Sequence, residues 1–420
     1  MNKVTAKINR LIDQRKKELN KLLCELIQAK SENPPGDVSS AAHVIESFLR
    51  DAGISFENYE PAEGHTSVVA TVGKGKPSLI LCGHIDVVPA GDVARWDVNP
   101  YEGAMKGDKV FGRGASDQKG GVAAMLMAAV AAKDFEEGLY GKITVACVSD
   151  EEAKGPGGAH WLLENKKLSG NACLITEPTG YLQGPYTITA GERGSYWLRL
   201  KAHGHPAHAS KPALGKNAID LLIECVQMLR YLETEAVRTP EDAETLVRNG
   251  KKQLKKIAAQ NCVSPNSLTR TLDHYTTSLG LIHGGTKVNI VPEYCEGEVD
   301  IRIPAGGNPQ GVENFVRSFL PKDVEFEAVN VALPSFTPVH HQLTQMVQQS
   351  ARQVFGYKPS ANYMAATSDA HYFRELLCVP TVSFGPGYEE IIHSYNEFVR
   401  AKDVLNMTKT YANIIANLSI

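Results

Sequence analysis

Long apolar runs are missing from this 420-residue chain, and with them any sign of a transmembrane helix. The first 20 residues, MNKVTAKINRLIDQRKKELN, hold no apolar core and no small-residue cleavage site. They read as an amphipathic helix, not a signal peptide, so a cytoplasmic location is expected. No large excess of either charge is present: the net charge is −3, which gives no reason to expect nucleic acid or an anionic membrane as partner. None of the eight cysteines forms a C-x-x-C pair. Cys82, Cys147 and Cys173 sit in apolar, strand-like runs and are expected to be buried thiols in a reducing compartment. There is no G-x-S-x-G and no cysteine in a nucleophile's context, so serine or cysteine chemistry finds no support. H-E-x-x-H is absent, which excludes a thermolysin-like zinc helix. Internal repeats and low-complexity segments are lacking too.

What is there has the composition of a globular protein, 43% hydrophobic and 22% charged, in a chain too long for one ordinary core. Two domains are expected. Helical and strand periods alternate from the start. Residues 16–29 and 39–52 read as helices, the second after the breaker NPPGD. Val68–Val72, Ser78–Cys82, Ile143–Ser149 and Ala172–Thr176 read as strands, and Gly120–Lys133 as a strongly apolar helix. This alternation predicts an α/β domain with a mixed, mainly parallel sheet. The texture changes near Pro185. Ser195–Ala202, Asn217–Thr234, Ser278–His283, Cys295–Ile303, Asn308–Phe319 and Val324–Val331 follow the order β-α-β-β-α-β. That order predicts a small α+β, ferredoxin-like domain inserted into the larger one. The expected division is 1–184 with 333–420 for the main domain and 185–332 for the insert. Within the insert, 235–277 is an extra charged, helical segment. From Phe336 the main domain resumes with a helix (Gln342–Phe355), a strand (Thr381–Phe384) and a last helix (Ala401–Ala416).

Five acidic or imidazole side chains each stand in their own Gly- or Pro-marked break. They are His84 in LILCGHIDVVP, Asp117 in GRGASDQKGG, Glu152 in VSDEEAKGPGG, Glu177 in LITEPTG and His393 in GPGYEEIIHSY. Most follow an apparent strand end, and a fold that gathers strand ends on one rim would collect them. Histidine and carboxylate together suit a borderline divalent metal. In H-I-D, alternation puts His84 and Asp86 on the same side of an extended segment, where the carboxylate can hold one imidazole nitrogen. An Asp before a helix is most often a plain N-cap, but four nearby glycines are not needed for one. Glu151 and Glu152 point apart on an extended chain, so one can bind metal while the other handles a water. The bland alternative is a set of unrelated solvated turns.

These motifs carry a resemblance. GHIDVVP, GRGASDQKGG, SDEEAKGPGG and TEP look like the M20 metallopeptidase family, which includes acetylornithine deacetylase, succinyl-diaminopimelate desuccinylase, aminoacylase and glutamate-type carboxypeptidases. The resemblance runs over nearly the whole chain. It implies a zinc-exopeptidase-like catalytic domain and an inserted lid and dimerisation domain. It implies two Zn²⁺ ions per subunit, with Co²⁺ or Mn²⁺ as substitutes. Asp117 would bridge the two metals, with a cis peptide bond after it. His84 and Glu177 would complete one metal, Glu152 and His393 the other. Asp86 would orient His84, and Glu151 would be the general base. In KAHGHPAHASKP, His208 matches the family's transition-state histidine, which acts on the other subunit of a homodimer. Asn289 and Arg302 would grip a substrate carboxylate, and Gly385 in SFGPG would touch substrate through its backbone. His203 and His205 are expected to serve local loop packing.

The implied function is hydrolysis of the amide bond of an N-acyl amino acid or similar small amide. A carboxypeptidase or dipeptidase is the alternative, and an inactive metal-binding relative a third reading. Glu177, where many dipeptidase relatives carry Asp, leans toward the deacylase and carboxypeptidase branch. ATSDAHYF resembles that branch's T-S-D loop, but Ala370 stands where biosynthetic desuccinylases often have Gly. The 235–277 segment is not a standard part of the family's inserted domain.

Overall fold

The structure is a computed structural model, and it describes residues 3–134, 141–153, 155, 157–234 and 236–418. Lys154 and Pro156 of the SDEEAKGPGG motif, and the first residue of the 235–277 segment, lie outside the described residues. The chain divides into two compact units. One comprises 1–190, 337–361 and 368–420; the other comprises 191–336 together with 362–367.

The first unit is built on a mixed sheet. Its strands run in the order Phe56–Tyr59, Ser67–Lys74, Gly141–Val148, Ser78–His84, Ala172–Gly180 and Thr381–Tyr388. The first two pairings are antiparallel. The next three are parallel, so Gly141–Val148, Ser78–His84, Ala172–Gly180 and Thr381–Tyr388 all end on one edge. Their sequences explain why they sit centrally. Ser78–His84 is buried at every position, as a parallel strand covered on both faces must be. Ile80 and Cys82 face a cluster with Leu162, Leu163 and Phe373, from the short helices Gly158–Glu164 and Ala370–Glu375. The opposite face meets the helix Gly120–Lys133, which is buried from Gly120 to Ala132. A helix without a polar face has to be interior, and the helix Ala401–Ala416 packs over it.

One expectation needs correction. The strand from Ala172 does not stop at Thr176 but continues to Gly180, so Glu177 and Pro178 lie within it. The parallel partner slips in register between Ser383 and Gly385 and again before Tyr388, and such an irregular edge tolerates proline. The glycines around Asp117 argue against a plain N-cap, and it is not one: residues Ala115–Lys119 form an irregular turn, and Lys119 precedes the helix. All eight cysteines are free; Cys82, Cys147 and Cys173 are buried, as are Cys225 and Cys295, while Cys24 is half-buried and Cys262 and Cys378 are exposed.

The second unit holds a four-stranded antiparallel sheet in the order Thr276–Gly284, Tyr294–Ile303, Gly194–His203, Val324–Ala332. The helices Ala218–Leu229 and Pro309–Phe319 pack against it around Leu198, Leu200, Val299, Ile301, Val312 and Val316. This is the ferredoxin-like arrangement. The extra segment contributes the helices Glu241–Gln260 and Pro265–Thr269. Among the described residues, no helix is long and apolar enough to cross a membrane.

One group in the first unit makes its stability pH-dependent. Burial pushes the Glu389 carboxyl up to about 7, although Tyr181 donates a hydrogen bond to it at 2.9 Å. A carboxyl raised in the folded state keeps its proton longer than in the unfolded chain, so stability falls as pH rises from the ordinary glutamate range toward 7. Glu389→Gln is therefore expected to raise the melting temperature at pH 8 and to change it little near pH 5. Equal shifts at both pH values in thermal unfolding would contradict this.

Candidate metal centre

The parallel edge of the sheet explains how the site assembles. His84 is the last residue of its strand, and Val148, its cross-strand partner, leads directly into Asp150, Glu151 and Glu152. Glu177 comes from the third parallel strand, and His393 follows the fourth. Carboxyl ends of parallel strands are where open α/β sheets place ligands.

Asp117 stands at the centre. Its Oδ1 lies 3.1 Å from His84 Nε2 and its Oδ2 3.2 Å from His393 Nε2. Each imidazole also faces its own glutamate. His84 Nε2 is 3.6 Å from Glu177 Oε1, and His393 Nε2 is 3.2 Å from Glu152 Oε2. Ligand atoms of His84, Asp117 and Glu152 fall within 4.8 Å of one another. The peptide bond from Asp117 to Gln118 is cis.

The electrostatics of this cluster are those of a cation site. Burial pushes the carboxyls of Glu151, Glu152 and Glu177 up, and neighbouring carboxylates push them further. Burial opposes charge on His84 as well, but hydrogen bonds to Asp117 and Asp86 outweigh it and raise its pKa well above the usual value. Hydrogen bonds to Asp117 and Glu152 hold His393 up, to about 10. Asp117 is also desolvated, yet bonds from the two imidazoles hold it below the usual carboxylate range. Asp86, Asp117, Glu151, Glu152 and Glu177 together would carry five negative charges. Two protonated imidazoles leave three uncompensated; two divalent cations with neutral imidazoles leave one. At an effective dielectric of 20, like charges 4 Å apart repel by about 4 kcal/mol, so the second arrangement is much the better balanced. Glu152 Oε1 points the same way: it is buried without a hydrogen-bond partner among the described residues. The donor set, imidazole nitrogen with carboxylate oxygen, fits zinc and its neighbours.

Around this cluster lies a supporting layer that sequence reasoning passed over. His84 Nδ1 is 2.9 Å from the main-chain carbonyl of Asp86 and 3.5 Å from its carboxylate. The Asp86 carboxylate accepts instead from the main-chain N–H groups of Glu151 (3.2 Å) and Glu152 (3.1 Å). Asn33 Nδ2 donates both to Asp86 Oδ2 at 2.9 Å and to Asp150 Oδ1 at 3.1 Å. One amide thereby ties the strand end to the loop bearing Glu151. Gln118 donates to Glu177 Oε1 at 2.6 Å and accepts from Thr176 at 2.7 Å, which aims that glutamate. Glu397, four residues beyond His393, accepts from Arg113 and from the N–H of Asp117. Asn33 stood in NPPGD, legible only as a helix breaker, and Glu397 stood in SYNEF with no glycine to mark it.

Comparison with known proteins identifies the family. Residues 80–417 match the family model described as peptidase family M20/M25/M40. The chain belongs to that family. It is a hydrolase acting on amide or peptide bonds, and the family is metal-dependent. This M20 hydrolase is 25% identical over 417 residues to a probable succinyl-diaminopimelate desuccinylase of Staphylococcus aureus, covering 95% of this chain and 98% of the relative. Its fold matches an M20 family metallo-carboxypeptidase of Sulfolobus solfataricus with a TM-score of 0.80 and 19% identity, covering 95% of this chain and 98% of the other. Human carnosine dipeptidase 1 matches with a TM-score of 0.77 and 19% identity, covering 99% of each chain.

The remaining sequence candidates lie in different surroundings. Gly385 is buried in the first unit, where a Cβ would stand 1.9 Å from the carbonyl oxygen of Thr176, so no side chain fits. In the second unit, His208 is exposed, and its Nδ1 is 2.8 Å from Ser210 Oγ. Asn289, also exposed, accepts from the main-chain N–H of Ala209 at 3.0 Å. Arg302 pairs with Asp300 at 2.9 Å and donates to Thr367 Oγ1 at 3.1 Å. His203 and His205 are both on this unit: His203 ends a strand, and His205 bridges Lys216 through its backbone.

Removing Asn33 tests the supporting layer of the M20 centre. Asn33→Ala takes one donor from each of two buried carboxylates, leaving Asp86 Oδ2 with the Glu152 N–H, and is expected to cost about 1–3 kcal/mol of stability. An unchanged urea midpoint would show that the bridge carries no weight.

Proposed function

We propose that this M20 hydrolase is a dizinc amidohydrolase that removes the acyl group from an N-acyl amino acid or similar small amide. The observation that supports it best is the two-sided arrangement at Asp117, whose oxygens each face a different imidazole–glutamate pair. In this reading His84, Asp117 and Glu177 hold one cation, and Asp117, Glu152 and His393 the other. Two such cations would supply the Lewis acidity for activating a water and polarising the scissile carbonyl. The chain's own groups do the rest.

Glu151 is the general base. Its main chain is pinned by Asp86, so its carboxylate has a fixed origin from which to take the water's proton. The same carboxyl then hands that proton to the leaving amine, so the C–N bond breaks as the acid and the free amine form. His208 donates to the developing oxyanion, an interaction stronger in the transition state than in the ground state. Arg302 and Asn289 bind a substrate carboxylate, for which a guanidinium offers two parallel hydrogen bonds. In a homodimer formed through the second unit, His208 serves the other subunit.

The alternative is a metallo-carboxypeptidase or dipeptidase on the same scaffold, favoured by the structural likeness to enzymes of those two kinds. A panel of N-acetyl, N-succinyl and N-formyl amino acids against dipeptides separates the two. The deacylase reading expects turnover of at least one N-acyl amine well above that of any dipeptide, and the reverse ranking contradicts it. Glu151→Gln is expected to lower kcat by about 10²–10⁴-fold while metal stays bound. Unchanged hydrolysis would remove Glu151 from the mechanism.

A further inference from the structure

Glu397 is fully buried, and everything that reaches its carboxylate is a donor. Arg113 Nη1 stands 2.6 Å from Oε2, and the main-chain N–H of Gly114 donates to the same oxygen at 3.1 Å. The N–H groups of Ser116 and Asp117 donate to Oε1 at 2.8 and 3.0 Å. These four bonds match the acceptor capacity of a carboxylate. All four come from the glycine-rich segment that presents Asp117, three of them from its main chain.

The backbone around Glu397 is tied to the same segment. Its own carbonyl accepts from Gly112 N–H at 3.0 Å, and the Phe398 carbonyl accepts from Ser116 Oγ at 2.8 Å. Phe398 and Phe111 are paired in adjacent antiparallel strands. His393 lies four residues upstream on this segment, with φ near 58°, and Asn396 has φ near 59°. Histidine and asparagine are among the residues that accept this left-handed backbone. Stability alone is a weak reason for the arrangement, because buried ion pairs can often be replaced by apolar groups without loss. What an apolar pair cannot do is collect three N–H groups of one loop.

We propose that Glu397 is a positioning residue for the metal centre: it gathers the N–H groups of Gly114, Ser116 and Asp117 and so holds the Asp117 carboxylate in register with His393. This rests on the reading of Asp117 and His393 as metal ligands. Arg113, on the same segment, pairs with Glu397 through its side chain. The two ligand-bearing segments, nearly 280 residues apart in sequence (Asp117 to Glu397 span 280), are thereby fixed to each other before any cation arrives.

The test uses the full chain, stripped of metal and reloaded with Co²⁺. Affinity is read by chelator competition and ligand geometry by the visible absorption of bound Co²⁺. Glu397→Gln turns an amide NH₂ toward the loop's own N–H groups. It is expected to weaken Co²⁺ binding about 10–100-fold and to alter the spectrum. Arg113→Met is expected to act in the same direction, and Arg113→Lys to recover part of the loss. Affinity and spectrum within twofold of wild type in both Glu397→Gln and Arg113→Met overturn the proposal, even if those variants melt earlier. Should Glu397→Gln fail to fold, the two Arg113 variants decide by the same criterion. A wild-type chain that binds no Co²⁺ defeats the metal reading itself, and this inference with it.

Discussion

The structure depends on one carboxylate being shared. Asp117 offers its two oxygens to two imidazoles that arrive from opposite parts of the chain, and each imidazole brings a glutamate. Such a group cannot be left alone in a protein interior. Burial works against every acid around it, and the accumulated negative charge exceeds what two histidines can neutralise. The cluster has the donor set of a candidate metal site, and the sheet places it at the edge where its parallel strands end together.

That edge was largely legible beforehand. Ser78–His84, Gly141–Val148 and Ala172–Gly180 are apolar runs that end in His84, the Asp150–Glu152 loop and, before its last turn, Glu177. Period and composition report this kind of burial directly, because a strand covered on both faces has no polar positions to spare. The ferredoxin-like order of the second unit was equally visible, since its two central strands alternate as half-exposed ones do: Tyr294–Ile303 alternates along its whole length.

What escaped was everything that depends on a single contact between distant residues. Nothing in NPPGD says that Asn33 will bridge two aspartates, and nothing in SYNEF says that Glu397 will collect three amides 280 residues away. Such roles leave no periodicity. The orientation of His84 was also subtler than spacing suggested. H-I-D does put Asp86 beside it, but the main-chain carbonyl is the nearer acceptor and the carboxylate holds the Glu151–Glu152 loop. Pattern locates a residue; only geometry says which of its atoms is used.

The most direct measurement is metal stoichiometry, by elemental analysis, in wild type and in Asp117→Ala after equilibration with Zn²⁺ and desalting. A shared bridge predicts two ions per wild-type chain and loss of both from the variant. One ion per wild-type chain, or a variant that retains two, would contradict it.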